Sequence, residues 1–146
     1  MTVFRAATPG DVAEVVALLA DDWIGEVTPD LERAEADYAR MLAEGVTQLF
    51  VARDETGVTA TYQLSVVWGV SLTASCRAIL EAVRVRRDLR GQGIGRELVA
   101  DAEARARAAG ATMIQLTSNQ QREAAHRFYA GLGYLPSHVG MKKPLA

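Results

Sequence analysis

The chain has 146 residues, 49% of them apolar, the size and composition of one domain, residues 1–146, around one hydrophobic core. Lys and Arg number 16 against 18 Asp and Glu, a formal charge of −2, which excludes a general nucleic-acid coat and makes any anion site local. The single cysteine, Cys76, has no internal disulfide partner, "MTVFRAATPGD" lacks the apolar run of a leader, and no apolar stretch approaches the roughly 18 to 20 residues of a membrane span, so a cytoplasmic enzyme or binding module is expected.

Thr8, Pro9 and Asp11 read as an N-cap, a first helical position and a capping-box acid. They precede Val12, Val15, Val16 and Leu19 at helical spacing and predict a helix over 9–20. Asp30 caps a second predicted helix with Leu31, Ala34, Tyr38 and Leu42, closed near Gly45, and "DDWIGEVTP" between the two is a loop. "TQLFVARD" and "VTATYQLSVVW", separated by "ETG", have the pattern of a hairpin. Two further strands, "AILEAVRVR" and "MIQLTSN", flank a helix over 94–109 with Leu98, Val99, Ala102 and Ala106 along one side. Strand, helix, strand is a crossover unit whose two strands should be parallel. "QREAAHRFYAGLG" is a last helix closed by glycine, and "VGMKKPL" a last short strand. The expected class is a mixed-sheet α/β domain.

One stretch combines features that such a fold does not require. "VRVRRDLRGQGIGRELV", residues 83–99, runs from a strand through a turn rich in glycine and arginine into a helix. A helix start exposes unpaired N–H groups and a partial positive charge, and glycines let an anion approach the backbone. Gly91, Gly93 and Gly95 supply that access, with Arg84, Arg86, Arg87, Arg90 and Arg96 around them. A charge-assisted hydrogen bond contributes roughly 1.5 to 3 kcal/mol, so two or three arginines on a pyrophosphate suffice for micromolar affinity. The pattern departs from a dinucleotide loop, because Arg96 stands where the third glycine belongs and no acid occurs between Glu103 and Glu123. It also lacks the Gly-Lys-Ser/Thr of a nucleoside-triphosphate loop.

Arg90-Gly91-Gln92-Gly93-Ile94-Gly95 resembles the R/Q-x-x-G-x-G/A signature of the GCN5-related N-acetyltransferase (GNAT) superfamily, which follows a strand and opens a helix. Downstream, "TSNQQREAAHRFYAGLGY" resembles that family's strand-end Asn, helix and Phe-Tyr-x-x-Leu-Gly-Tyr segment, and "FRAATPGDVAEVVALL" resembles its opening. The likeness is strong over residues 78–143. It implies a central, mostly antiparallel mixed sheet with one splayed parallel strand pair, flanked by about four helices.

The resemblance also implies chemistry. The co-substrate is acetyl-CoA, with no metal, and its pyrophosphate would lie on Arg90, Gly91, Gln92, Gly93, Ile94, Gly95 and Arg96. Val83 and Val85, with Arg84 between them, match the strand whose backbone pairs with the pantetheine arm as an added strand. Asn119 and, more weakly, Arg122 match further cofactor positions. Tyr129 matches the tyrosine that faces the cofactor sulfur as general acid, although Ala125, Phe128 and Leu132 also make it part of an apolar helical stripe. A phenol near pKa ~10 gives its proton to a thiolate near ~8.5 uphill by about 2 kcal/mol, which favours a hydrogen bond over early transfer.

Glu81 matches a frequent family position for a base acting through water. Strand alternation places it with Ile79, Val83 and Val85, where a carboxylate needs either a partner, such as a nearby arginine, or a task. The acceptor is expected to be a primary amine of a small molecule or peptide, with Trp23, Glu26, Tyr38, Tyr62 and Trp68 around it. Acids at 21, 22, 26 and 30 would suit a cationic acceptor. Cys76 as an acetyl carrier and His138 on the acceptor side are minor alternatives, and His126 and His138 lack metal-ligand spacing. Homodimerisation through the sheet edge or last strand is a habit of the family. The rival readings are a non-catalytic acyl-CoA-binding sensor module and a nucleotide-binding regulator; no nucleic-acid or membrane partner is expected.

Overall fold

The computed structural model describes residues 1–21 and 27–146. Asp22, Trp23 and Glu26, named above for the acceptor side, lie outside the described residues. The chain falls into two compact units, Met1–Gln115 and Leu116–Ala146.

In the first unit, β1 (Arg5–Ala6) is followed by a 3-10 turn (Pro9–Asp11), α1 (Val12–Ala20), α2 (Leu31–Glu44), β2 (Thr47–Asp54), β3 (Gly57–Trp68), β4 (Cys76–Val85), a second 3-10 turn (Arg87–Leu89), α3 (Ile94–Ala108) and β5 (Met113–Gln115). The sheet order is β1-β2-β3-β4-β5. The first three pairings are antiparallel and β4-β5 is parallel, as the crossover demands. The caps act as read: Asp30 accepts from the Arg33 N–H at 3.0 Å, and Gly45 closes α2 with φ 71. The two-residue β1 carries no apolar alternation and escapes sequence reading.

Strand alternation sorts the core. Leu49 and Val51 of β2 join Val58, Val12, Val15, Leu18 and Tyr38 in one buried cluster under α1 and α2. Phe50, between them, points to the other face and stacks on Tyr62 with ring centroids 5.0 Å apart. There Leu98, Val99 and Ala102 of α3 are buried, and the Tyr62 hydroxyl donates to Asp101 of the same helix.

A β-bulge interrupts β4. Gln63 pairs with Glu81 and Thr61 with Arg84, so Tyr62 alone opposes both Ala82 and Val83, and Ala82 adopts φ 51. An extra residue reverses the in–out alternation beyond it. Before the bulge, Ala78 and Leu80 lie on the α3 face, opposite Val66 and Leu64, with Ile79 and Glu81 on the α1/α2 face. After it, Arg84 lies on the α1/α2 face opposite Thr61, and Val85 lies opposite Ala60 on the α3 face. The shared face expected for Glu81, Val83 and Val85 is therefore corrected, because uninterrupted period-two counting passes over the inserted residue.

In the second unit, α4 (Glu123–Gly131) is the only regular element among the described residues. The strand expected over "MIQLTSN" stops at Gln115, so Asn119 lies four residues past β5 rather than at its end. The strand expected over 139–145 is absent. Leu135, Val139, Met141 and Leu145 are exposed there, and Pro136, Gly140 and Pro144 remove the donors and stiffness a ladder needs.

Candidate functional site

The glycine-arginine stretch forms the link from β4 to α3. Gly91 and Gly93 have φ 81 and φ 87, and a Cβ at either would meet open space. Glycine is therefore demanded by the left-handed backbone and not by crowding. Gly93 is the N-cap of α3 and no side chain caps that end, which leaves first-turn N–H groups to an outside acceptor. Arg90, Gln92 and Arg96 are exposed, while Ile94 and Gly95 are half-buried at the first turn.

The arginines divide into two groups. Arg86 forks onto Asp88 at 2.7 and 3.1 Å and donates to Thr56 Oγ1 at 2.9 Å. Arg87 faces Asp21, at 3.3 Å from its carbonyl oxygen and 3.7 Å from its carboxylate. Those two are committed, which corrects the picture of five arginines ringing the glycines. Arg90 donates only to the Val85 carbonyl, at 3.1 Å, and Arg96 makes no ion pair or hydrogen bond among the described residues. Arg84 donates to the Val83 carbonyl at 2.7 Å.

β4 and β5 pair only at Arg77↔Met113, Ala78↔Ile114 and Ile79↔Gln115. Past that rung, no strand among the described residues pairs with the second edge of β4, so Val83 and Val85 lie on a strand whose parallel neighbour has ended. Glu81 is exposed, and its carboxylate has no ion pair or hydrogen bond among the described residues. The arginine partner considered for it is not what the structure contains. Directly across from it stands Gln63, half-buried, a residue that sequence reading passed over because nothing in β3 distinguishes it until the register is known.

The second unit holds Asn119, Arg122 and Tyr129. The Asn119 side chain accepts from the Gln121 N–H at 2.9 Å, and its backbone carbonyl accepts from the Arg122 N–H at 3.0 Å and bonds His126 Nε2 at 2.9 Å. These bonds build the start of α4, for which Arg122 is the N-cap. Tyr129 is half-buried, edge-on to Phe128 and to Tyr134 with centroids 5.1 and 5.7 Å apart. His138 is exposed and bonds Ser137 Oγ at 2.7 Å.

Two residues named for the acceptor side are core. Tyr38 is buried and donates to the Ala7 carbonyl at 2.8 Å. Tyr62 is fully buried, and burial first, then the Asp101 carboxylate, pushes its phenol far above the ordinary range. Aromatic rings in "VTATYQLSVVW" read alike from sequence, yet Trp68 is 71% exposed and Tyr62 0%. Cys76 is buried at the start of β4. Among the described residues no cluster of three or more His, Cys, Asp or Glu could hold a metal ion, and no helix is long and apolar enough to cross a membrane.

A family model described as Acetyltransferase (GNAT) family matches residues 12–134. An aminoalkylphosphonate N-acetyltransferase from Salmonella typhimurium strain LT2 is 49% identical over 57 residues, 39% of this chain and 37% of that protein, so the match spans little more than a third of the relative. Among solved structures, a transcriptional regulator from Bacillus halodurans C-125 has a TM-score of 0.86 at 35% identity, covering 99% of this chain and 100% of that one. A protein from Clostridium acetobutylicum solved with acetyl-CoA shares the fold with a TM-score of 0.77 at 14% identity, over 99% and 97% of the two chains.

Proposed function

Because the chain belongs to the GNAT acetyltransferase family, whose model covers residues 12–134, we propose that it transfers the acetyl group of acetyl-CoA by direct attack to a primary amine of a small molecule. The observation that carries this reading is the start of α3, where an uncapped helix end, two left-handed glycines and the exposed Arg90 and Arg96 coincide. Residues 90–96 hold the diphosphate by backbone N–H groups and two guanidinium groups. The edge of β4 at Val83 and Val85 aligns the amide-bearing arm. Acetyl-CoA supplies an activated thioester carbon; the chain supplies orientation and proton routes.

Glu81 takes the proton of the acceptor through water, since an alkylammonium near pKa ~10.4 is neutral only about once in a few thousand at pH 7. A backbone N–H of the 83–85 segment supports the developing oxyanion, and Tyr129 donates a hydrogen bond to the departing sulfur. Asn119 and Arg122 assist cofactor binding. The relative that acts on aminoalkylphosphonates supports a small acceptor carrying a primary amine. A second reading, a non-catalytic acyl-CoA-binding module, draws support from the regulator name of the Bacillus halodurans structure.

Thiol release from acetyl-CoA across a panel of amines separates the two. Turnover is expected, with Tyr129→Phe and Glu81→Gln each lowering kcat by roughly 100-fold while the acetyl-CoA KM stays near the parent value. Coenzyme A binding with no thiol release on any amine would favour the module.

A further inference from the structure

On the α1/α2 face of the sheet, β3 presents three polar side chains in succession: Thr61, Gln63 and Ser65. Two of them are satisfied. Thr61 Oγ1 donates to the Phe50 carbonyl at 2.9 Å, and Ser65 Oγ lies 2.7 Å from Thr47 Oγ1. Gln63 is the exception, its side chain making no hydrogen bond among the described residues. It is also the one residue from Gly57 to Ser65 that is not buried. Its rung runs Leu49, Gln63, Glu81 across β2, β3 and β4. Leu49 is covered by the helices and Glu81 is exposed, so the cover over this face ends at Gln63.

Directly paired side chains on one face have Cβ atoms about 4.5 to 5.5 Å apart. The Gln63 carboxamide offers one acceptor oxygen and two N–H donors, and the Glu81 carboxylate offers acceptors only. A half-buried carboxamide without a protein partner stays open to water and to an incoming polar group. Two acceptors side by side where the cover over this face ends match a group that carries two N–H bonds.

We propose that Gln63 binds the acceptor amine, its carboxamide oxygen accepting one N–H while the second N–H is directed to Glu81 or its water. The inference rests on the acetyltransferase reading and deepens it. A primary amine attacking through its lone pair keeps both N–H bonds for this seat, whereas a secondary amine or an alcohol offers only one. Gln63 thereby selects primary amines.

The test is steady-state thiol release with primary alkylamines headed by 2-aminoethylphosphonate, each compared with its N-methyl derivative. Gln63→Leu should raise the primary-amine KM roughly tenfold or more and bring the primary-to-secondary preference close to one. The acetyl-CoA KM and the melting temperature should hold, since leucine fits beside Leu49. Gln63→Glu keeps an acceptor oxygen and should return the amine KM to within about threefold of the parent. It should also move the acidic limb of the kcat/KM profile to higher pH, because facing carboxylates raise one another's pKa. A turning-over parent whose Gln63→Leu variant keeps both its amine KM within about twofold and its preference would overturn the inference alone. Absence of thiol release from the parent on every amine would overturn the acetyltransferase reading and this inference with it.

Discussion

At the start of α1 charged side chains close on one another, and at the start of α3 they stay apart. Asp11, 3% exposed, accepts from both Nη atoms of Arg5 at 2.8 and 3.1 Å, from Arg53 Nη1 at 2.9 Å and from the Thr8 N–H at 2.8 Å. Arg53 Nη2 also donates to Glu14 at 2.8 Å, and Glu14 accepts the Val58 N–H at 2.8 Å. This network ties β1, the first turn, β2 and β3 together. At residues 90–96 the backbone takes positive φ twice, the helix has no cap, and Arg96 is unpaired among the described residues. Charges that fix architecture are spent internally; charges beside exposed N–H groups remain available to a ligand.

The largest effect that sharpens this contrast is expected at Gly93. In the proposed site Gly93→Asp would set a carboxylate against the diphosphate and a side chain in the left-handed region, and calorimetry should find coenzyme A affinity lowered by more than about 100-fold. Gly93→Ala carries the backbone strain without the charge and should lose roughly tenfold. A carboxylate variant that binds as tightly as the parent would remove α3 from the site and the contrast with it.

Asp11→Asn probes the other side. The variant leaves Arg5 and Arg53 facing a neutral amide and is expected to cost about 2 kcal/mol, below the range for fully buried pairs because both arginines are partly exposed. For a chain of this length that is a melting temperature lower by roughly 4 to 8 °C, with coenzyme A affinity unchanged. The pH dependence follows in sign. Hydrogen bonds from Arg5 and then Thr8 hold the Asp11 carboxyl well below the usual carboxylate range against the opposing effect of burial, and the Val58 N–H and Arg53 lower Glu14. A carboxyl depressed by folding contributes stability that is present above its unfolded pKa of about 4 and lost as pH falls through the folded value. Parent stability should therefore drop below about pH 4, and Asp11→Asn should flatten that drop. An equally steep acid transition in the variant would place the acid sensitivity elsewhere.

How much of this was legible in the sequence depends on whether the signal is local. The helices, the hairpin and the parallel crossover follow from spacing, and the glycine-arginine turn from composition, because Asp30, Gly45, Gly91 and Gly93 act through their own backbone. Register does not. Gln63 gains its meaning from standing opposite Glu81, and Tyr62 and Trp68 are told apart only by which face and which end of β3 they occupy. The Arg5–Asp11–Arg53 network joins residues 42 apart in sequence, and no pattern in either segment announces the other. The expected strand over 139–145 failed for a local reason: Gly140 and Pro144 interrupt the apolar run, and Pro144 has no N–H to give a ladder.

The bulge at Ala82 gives the smallest and most discriminating prediction. Ala82 is the described non-glycine residue at positive φ, 51°, a conformation that costs an L-residue about 1 to 2 kcal/mol. Glycine removes that strain but adds unfolded-chain entropy of roughly 0.5 to 1 kcal/mol, so Ala82→Gly should raise the melting temperature by only about 1 to 3 °C. Ala82→Val, with a branched Cβ in the same region, should lower it by more. Strain retained beside Glu81 points to a bulge kept for what it aims: it turns Arg84 onto the face of Glu81 and Val85 away from it. The glycine variant should consequently lose a few-fold in kcat while gaining stability. A variant that gains both would mean that the bulge is fixed by the ladder alone and that alanine there is incidental to the chemistry.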